Sequence, residues 1–104
     1  MSTKVRVKGP PAALLALADP LRWRIVELLE HEELCVCHLV DELDVAQPLV
    51  SHHLKVLRDA GLVAGERWRY WTYYRLVPGA LRALTEHLMP AAETEPARER
   101  RPCC

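Results

Sequence analysis

From residue 12 to residue 60 the apolar positions recur at steps of three and four. Between residues 62 and 76 they give way to aromatic and β-branched runs, and from Ala80 the helical step returns. Ala12 to Ala18 is rich in Ala and Leu and predicts a short helix; Asp19-Pro20 then punctuates the chain, with Asp19 suited to cap a second helix and Pro20 to its first position. That helix should run from about Pro20 to His31, its inward stripe being Leu21, Ile25, Leu28 and Leu29. A third is predicted over Val36 to Leu43, with Leu39, Val40 and Leu43 inward, followed by a break at Asp44-Val45-Ala46. A fourth should span Gln47 to Ala60, tolerating Pro48 in its first turn and stopping at Gly61. Val50, Leu54 and Leu57 would face inward, and Ser51, His52, Lys55, Arg58 and Asp59 outward.

Two β-like runs follow, Leu62–Ala64 and Tyr70–Leu76, joined by Gly65-Glu66-Arg67-Trp68-Arg69. They predict a hairpin with a basic tip, ended by Val77-Pro78-Gly79. A last helix is expected from Ala80 to Met89, with Leu81, Leu84 and Leu88 on one side. Residues 1–11, with Lys4, Arg6 and Lys8, read as a flexible basic arm; residues 90–104 read as a charged tail without apolar period, ending in Cys103-Cys104. The expected fold is mainly α with a small β-hairpin, a single domain over 12–89. Two short helices and a tight turn followed by a basic hairpin are the order of a winged helix-turn-helix, which lays the second helix of the pair in the major groove of DNA.

On that fold Gln47 is placed to bond adenine, Ser51, His52 and His53 to reach bases or phosphate, and Lys55 and Arg58 to hold phosphate. Arg67 and Arg69 on the wing suit the backbone or an adjacent minor groove. The chain has no formal net charge, yet residues 47–69 carry +2 before any histidine is counted. A neutral total argues against indiscriminate coating of nucleic acid, whereas a local basic face is what base reading needs.

The 104 residues, half of them apolar, suffice for one small core. A domain of this size gains from dimerisation. No apolar run reaches membrane-spanning length and no secretory leader is evident, so a cytoplasmic location is expected. In that compartment four cysteines point to metal or redox chemistry rather than structural disulfides.

Cys35 and Cys37 lie at the start of the third helix, where the helix dipole favours thiolates, and thiolates select soft or borderline ions. Within a regular helix residues i and i+2 point about 200° apart. Chelation therefore requires Cys35 to lie outside the helix, or the first turn to unwind. Two sulfurs are also too few for such an ion, and the other cysteines are Cys103 and Cys104, so the tail is expected to fold back and complete the site, from the same or the partner subunit. His38 reads as a surface polar residue.

Several blocks resemble the ArsR/SmtB family of metalloregulatory repressors. Gln47-Pro48-Leu49-Val50-Ser51-His52-His53-Leu54-Lys55-Val56-Leu57-Arg58-Asp59-Ala60-Gly61-Leu62-Val63 resembles its recognition helix. Ala18-Asp19-Pro20-Leu21-Arg22 and Tyr73-Tyr74-Arg75-Leu76 resemble further blocks, and Glu33-Leu34-Cys35-Val36-Cys37-His38-Leu39 resembles its metal-binding box, with His38 where Asp is usual. The similarity covers about residues 12–89. It implies a homodimer on a twofold-symmetric operator, with repression relieved by an inducer: As(III) or Sb(III) first, with Cd(II), Pb(II) or Zn(II) as alternatives. In some arsenite sensors of the family a third Cys follows the pair where this chain has Val40. Two further departures are Ala46 in place of a frequent capping Ser and Trp68 in place of a common wing Gly. The family's zinc site on the last helix looks incomplete, with only Glu86 and His87 present. Competing readings are a redox or persulfide sensor using the same cysteines, and a thiol metal buffer that does not bind DNA specifically. No nucleophile–base–orienter set points to an enzyme.

Overall fold

The computed structural model describes residues 9–88. Residues 1–8 of the basic arm expected over 1–11, and the tail with Cys103 and Cys104, lie outside the described residues. Eight elements follow one another: α1 (Ala12–Leu17), α2 (Pro20–Leu29), β1 (Leu34–Cys35), α3 (Val36–Leu43), α4 (Gln47–Asp59), β2 (Val63–Trp68), β3 (Trp71–Leu76) and α5 (Ala80–Leu88). Among the described residues no helix is long and apolar enough to cross a membrane.

Asp19 caps α2 as its residue type dictates. Its Oδ1 accepts from the Leu21 and Arg22 amides at 2.8 and 3.1 Å, and Pro20 sits where a missing N–H costs nothing. The helices pack around Ile25, Leu39, Val50, Leu54 and Leu57, all at 0–1% exposure, with Leu62 and Val63 closing the base of the hairpin. Leu21 and Leu28 only flank the α2 stripe; Val26 joins Ile25 and Leu29 inside. Asp44 ends α3 in the left-handed conformation, φ 53, and Gly61 follows α4 at φ 79, where a side chain would be strained.

The sheet has three strands in the order β1-β3-β2, all antiparallel. Two features correct the sequence-based picture. The first hairpin arm is longer than expected, because Gly65 to Trp68 belong to β2; the second starts one residue later, at Trp71, so that the turn is only Arg69-Tyr70. A two-residue strand, β1, also pairs with β3 by Leu34↔Tyr74 and Cys35↔Tyr73. Two residues carry no readable period, so that strand exists only because β3 offers it a ladder.

Candidate nucleic-acid interface and metal centre

α4 follows α3 across a short turn, and its surface divides by helical angle. Gln47, Ser51, His52, Lys55 and Arg58 are exposed, while Val50, His53, Leu54 and Leu57 are buried. Its start has no side-chain cap, since Ala46 has no oxygen to offer; the Leu49 and Val50 amides bond the Ala46 carbonyl instead. Arg58 meets Asp59 at 3.8 Å in an exposed pair that is worth little and leaves the guanidinium available.

His53 does not share the outward face. Its ring is 6% exposed, and its Nδ1 lies 3.1 Å from Arg22 Nη1. A guanidinium only donates, so Nδ1 accepts and the ring is neutral with its proton on Nε2. Burial pushes the His53 pKa below its ordinary value; Arg22 and His52 add to this, against the pull of Asp19. Arg22 also donates from Nε to the Ala16 carbonyl at 2.6 Å. The pair therefore knits α1, α2 and α4 together, and this corrects the expectation that His53 faces DNA. Positions 50, 53, 54 and 57 share one helical face, a signal that the polarity of histidine masks.

The hairpin carries Arg67 on β2 and Arg69 in the turn, both exposed. Arg67 Nε donates to the Arg69 carbonyl at 3.3 Å, and the Arg69 guanidinium lies 5.8 Å from the Trp68 ring centroid. The base of the hairpin is tied to α4 by the Leu62 amide on the Leu57 carbonyl, 3.0 Å, and by the Val77 amide on Leu62, 2.9 Å.

The thiolates meet the geometric condition set by their spacing. Cys35 is the N-cap of α3, in extended conformation (φ −90, ψ 170), and Cys37 lies in the first turn. No unwinding is needed. The Cys35 and Cys37 sulfurs and a His38 ring nitrogen all lie within 4.8 Å of one another. Cys35 is buried, whereas Cys37 and His38 are exposed. The Cys35 amide donates to His38 Nδ1 at 3.2 Å, and the Cys35 sulfur lies 3.3 Å from the same nitrogen. Burial opposes ionisation of Cys35, but the Cys37 thiol and the first-turn amides outweigh it and hold its pKa below the ordinary thiol value. Cys37 is pushed up, first by that hydrogen bond to Cys35. Cys35 is thus the more readily ionised of the two. Sequence reasoning passed over His38 as a donor; the capping-box spacing, N-cap to N3, was its signal.

The family model for bacterial regulatory proteins of the arsR family matches residues 19–64. An HTH-type transcriptional regulator of Mycobacterium tuberculosis is 43% identical over 81 residues, covering 78% of this chain and 76% of that protein. The chain belongs to the ArsR family. Its family, by its description, is one of bacterial regulatory proteins, and the curated relatives are named as transcriptional regulators and repressors. Another ArsR relative, an arsenic resistance transcriptional regulator of Pseudomonas putida, is 46% identical over 70 residues, 66% of this chain and 55% of its own length. The chain spans about half the length of several curated relatives that it matches. A crystal structure titled a possible transcriptional regulator for arsenical resistance superposes with a TM-score of 0.70 at 35% identity, covering 74% of this chain and 80% of that one. The winged helix-turn-helix architecture is thereby shown.

Proposed function

We propose that this ArsR-family regulator is a repressor whose hold on operator DNA is released when a soft or borderline ion binds Cys35 and Cys37. One observation carries the reading: two sulfurs and an imidazole nitrogen converge within 4.8 Å at the N-terminus of α3. Cys35 belongs to two DNA-facing devices at once. It caps the helix that supports α4, and it pairs with Tyr73 of the wing strand β3. An ion drawing Cys35 and Cys37 together would pull on both. His38 supplies a third donor of intermediate softness, which suits Cd(II), Pb(II) or Zn(II); recruitment of Cys103 or Cys104 would give the three or four sulfurs that favour As(III) or Sb(III). Arsenite remains the first inducer to test, in keeping with the names of the relatives from Pseudomonas putida and Escherichia coli.

DNA is read by Gln47, Ser51, His52, Lys55 and Arg58 in the major groove, with Arg67 and Arg69 on the flank. The protein works as a homodimer in the cytoplasm. The test is a DNA-binding assay on the reduced protein titrated separately with As(III), Sb(III), Cd(II), Pb(II) and Zn(II). Saturation with the inducer should weaken binding by roughly 5- to 150-fold, the usual range of such coupling. Cys35→Ser and Cys37→Ser should abolish the response without loosening the ion-free complex. Truncation after Arg101 separates the donor sets: an unchanged arsenite response would exclude the tail cysteines. Release by polysulfide or peroxide with every ion inert would replace ion sensing by redox sensing.

A further inference from the structure

The tip of the hairpin exposes more aromatic surface than any role assigned above requires. Trp68 is 61% exposed, Tyr70 87% and Trp71 52%. Trp68 and Trp71 are directly paired across the two strands, so their rings stand on the same face of the ribbon. Tyr70 packs edge-on to Trp71, with centroids 6.0 Å apart at 80°. Arg69 covers part of Trp68, and Arg67 is fixed to the turn carbonyl. A cluster of large aromatics held largely in water marks a binding surface. Toward the turn this one is edged by the Arg67 and Arg69 guanidiniums, while Glu66 and Glu33 line a pocket with Trp68 on the side of the hairpin base. Flat rings flanked by cations match nucleobases flanked by phosphates.

Reach agrees with chemistry. Hydrogen bonds fix the base of the hairpin to the end of α4, and each arm has six residues. At about 3.4 Å per residue such an arm extends about 20 Å. Half a turn of duplex DNA, the distance from a major groove to the next minor groove, is about 17 Å. With α4 in the major groove, the tip can arrive at the flanking minor groove.

We propose that the wing tip is an aromatic wedge. Trp68, backed by Trp71 and Tyr70, enters the flanking minor groove and unstacks one base step, while Arg67 and Arg69 take the phosphates on either side. The proposal rests on the DNA-binding reading of α4 and adds to it a contact of different chemistry. It gives the protein a preference at a position that α4 does not touch, for pyrimidine–purine steps that unstack easily.

The experiment uses the full reduced chain and duplexes selected from a random pool by the wild-type protein, with 2-aminopurine placed in turn at each step flanking the selected core. A fluorescence rise confined to one flanking step is expected on binding. Trp68→Ala should abolish that rise and weaken binding by roughly 5- to 150-fold, the range for loss of one stacked base. Tyr70→Ala, at a turn position with little packing to lose, should show the same loss in weaker form. Each of Arg67→Gln and Arg69→Gln should lower the log–log salt slope by about 1. Flat 2-aminopurine signals together with unchanged affinity of Trp68→Ala overturn the wedge while leaving the reading of α4 intact. Recovery of no duplex at all sinks the DNA reading itself, and the wedge with it. If Trp68→Ala instead alters sedimentation and leaves DNA binding unchanged, the tip is a protein contact and the proposal is wrong.

Discussion

Asp19, Arg22 and His53 show how much three side chains can fix. Asp19 caps α2 and thereby sets the first turn that carries Arg22; Arg22 then bridges the end of α1 to His53 on α4. The recognition helix is thus indexed to α1 and α2 through one neutral imidazole. Backbone hydrogen bonds from the Arg22 and Leu21 amides hold the Asp19 carboxyl below its ordinary value, and the lost cap in Asp19→Ala should cost about 1 kcal/mol in urea melts. The sign of the pH effect at His53 follows from its depressed pKa. An unfolded histidine binds a proton near the ordinary value of 6.5, and the native one does so only at lower pH. The unfolded chain therefore takes up protons first, and the stabilisation is complete above about 6.5 and lost as pH falls through the native value. Unfolding free energies of wild type and His53→Asn from urea titration should differ by about 1–2 kcal/mol at pH 7.5 and converge toward pH 5. A constant gap would show that the ring acts by shape alone. Asp19 was legible from its dipeptide with Pro20, because a cap is a local interaction. The burial of His53 was not, because it depends on a partner 31 residues away.

The elements differ in how openly they announce themselves. α3 begins and ends where its period places it, and α4 errs by a single residue, since buried apolar stripes and stop residues are written into the chain itself. The hairpin was harder. Gly65 looks like a turn residue, but it sits within β2, where a Cβ would approach both Thr72 and Tyr74 to 3.1 Å. The turn falls on Arg69 instead, at φ 57, where a β-carbon is unfavourable. A glycine there would relieve roughly 1–2 kcal/mol of backbone strain. It would cost about 0.5–1 kcal/mol in extra freedom of the unfolded chain. Arg69→Gly should therefore raise stability by up to about 1.5 kcal/mol in a urea titration, while losing the cation over Trp68 and the phosphate contact proposed for it. Greater stability with weaker DNA binding would show that the strained turn is kept for its side chain; weakened binding with lowered stability would contradict that account.

At the scale of the molecule the described core is small, and one flank is left uncovered. Leu15, Trp23 and Leu88 are 57%, 52% and 63% exposed. With Leu14, Leu81 and Leu84 they line an apolar groove of about 510 Å³ between α1, α2 and α5. The stripe on α5 accounts for this: Leu84 turns to the core, while Leu88, on the same expected side, is left exposed among the described residues. Apolar surface of this extent in a domain with so limited an interior suits the homodimer proposed above, in which the second copy would place two α4 helices on successive turns of DNA. If so, thermal stability must rise with protein concentration, since association stabilises only the folded form. Leu15→Glu buries a charge at that face in the dimer but leaves it solvated in the monomer, so the monomer should still fold. Sedimentation should then give a single-chain mass independent of concentration. Operator affinity should fall by well over tenfold, because the two half-sites would no longer be bound as one unit. A variant that stays dimeric, or a monomer that holds the full operator as tightly as wild type, would show that the apolar flank serves something other than the pairing of recognition helices.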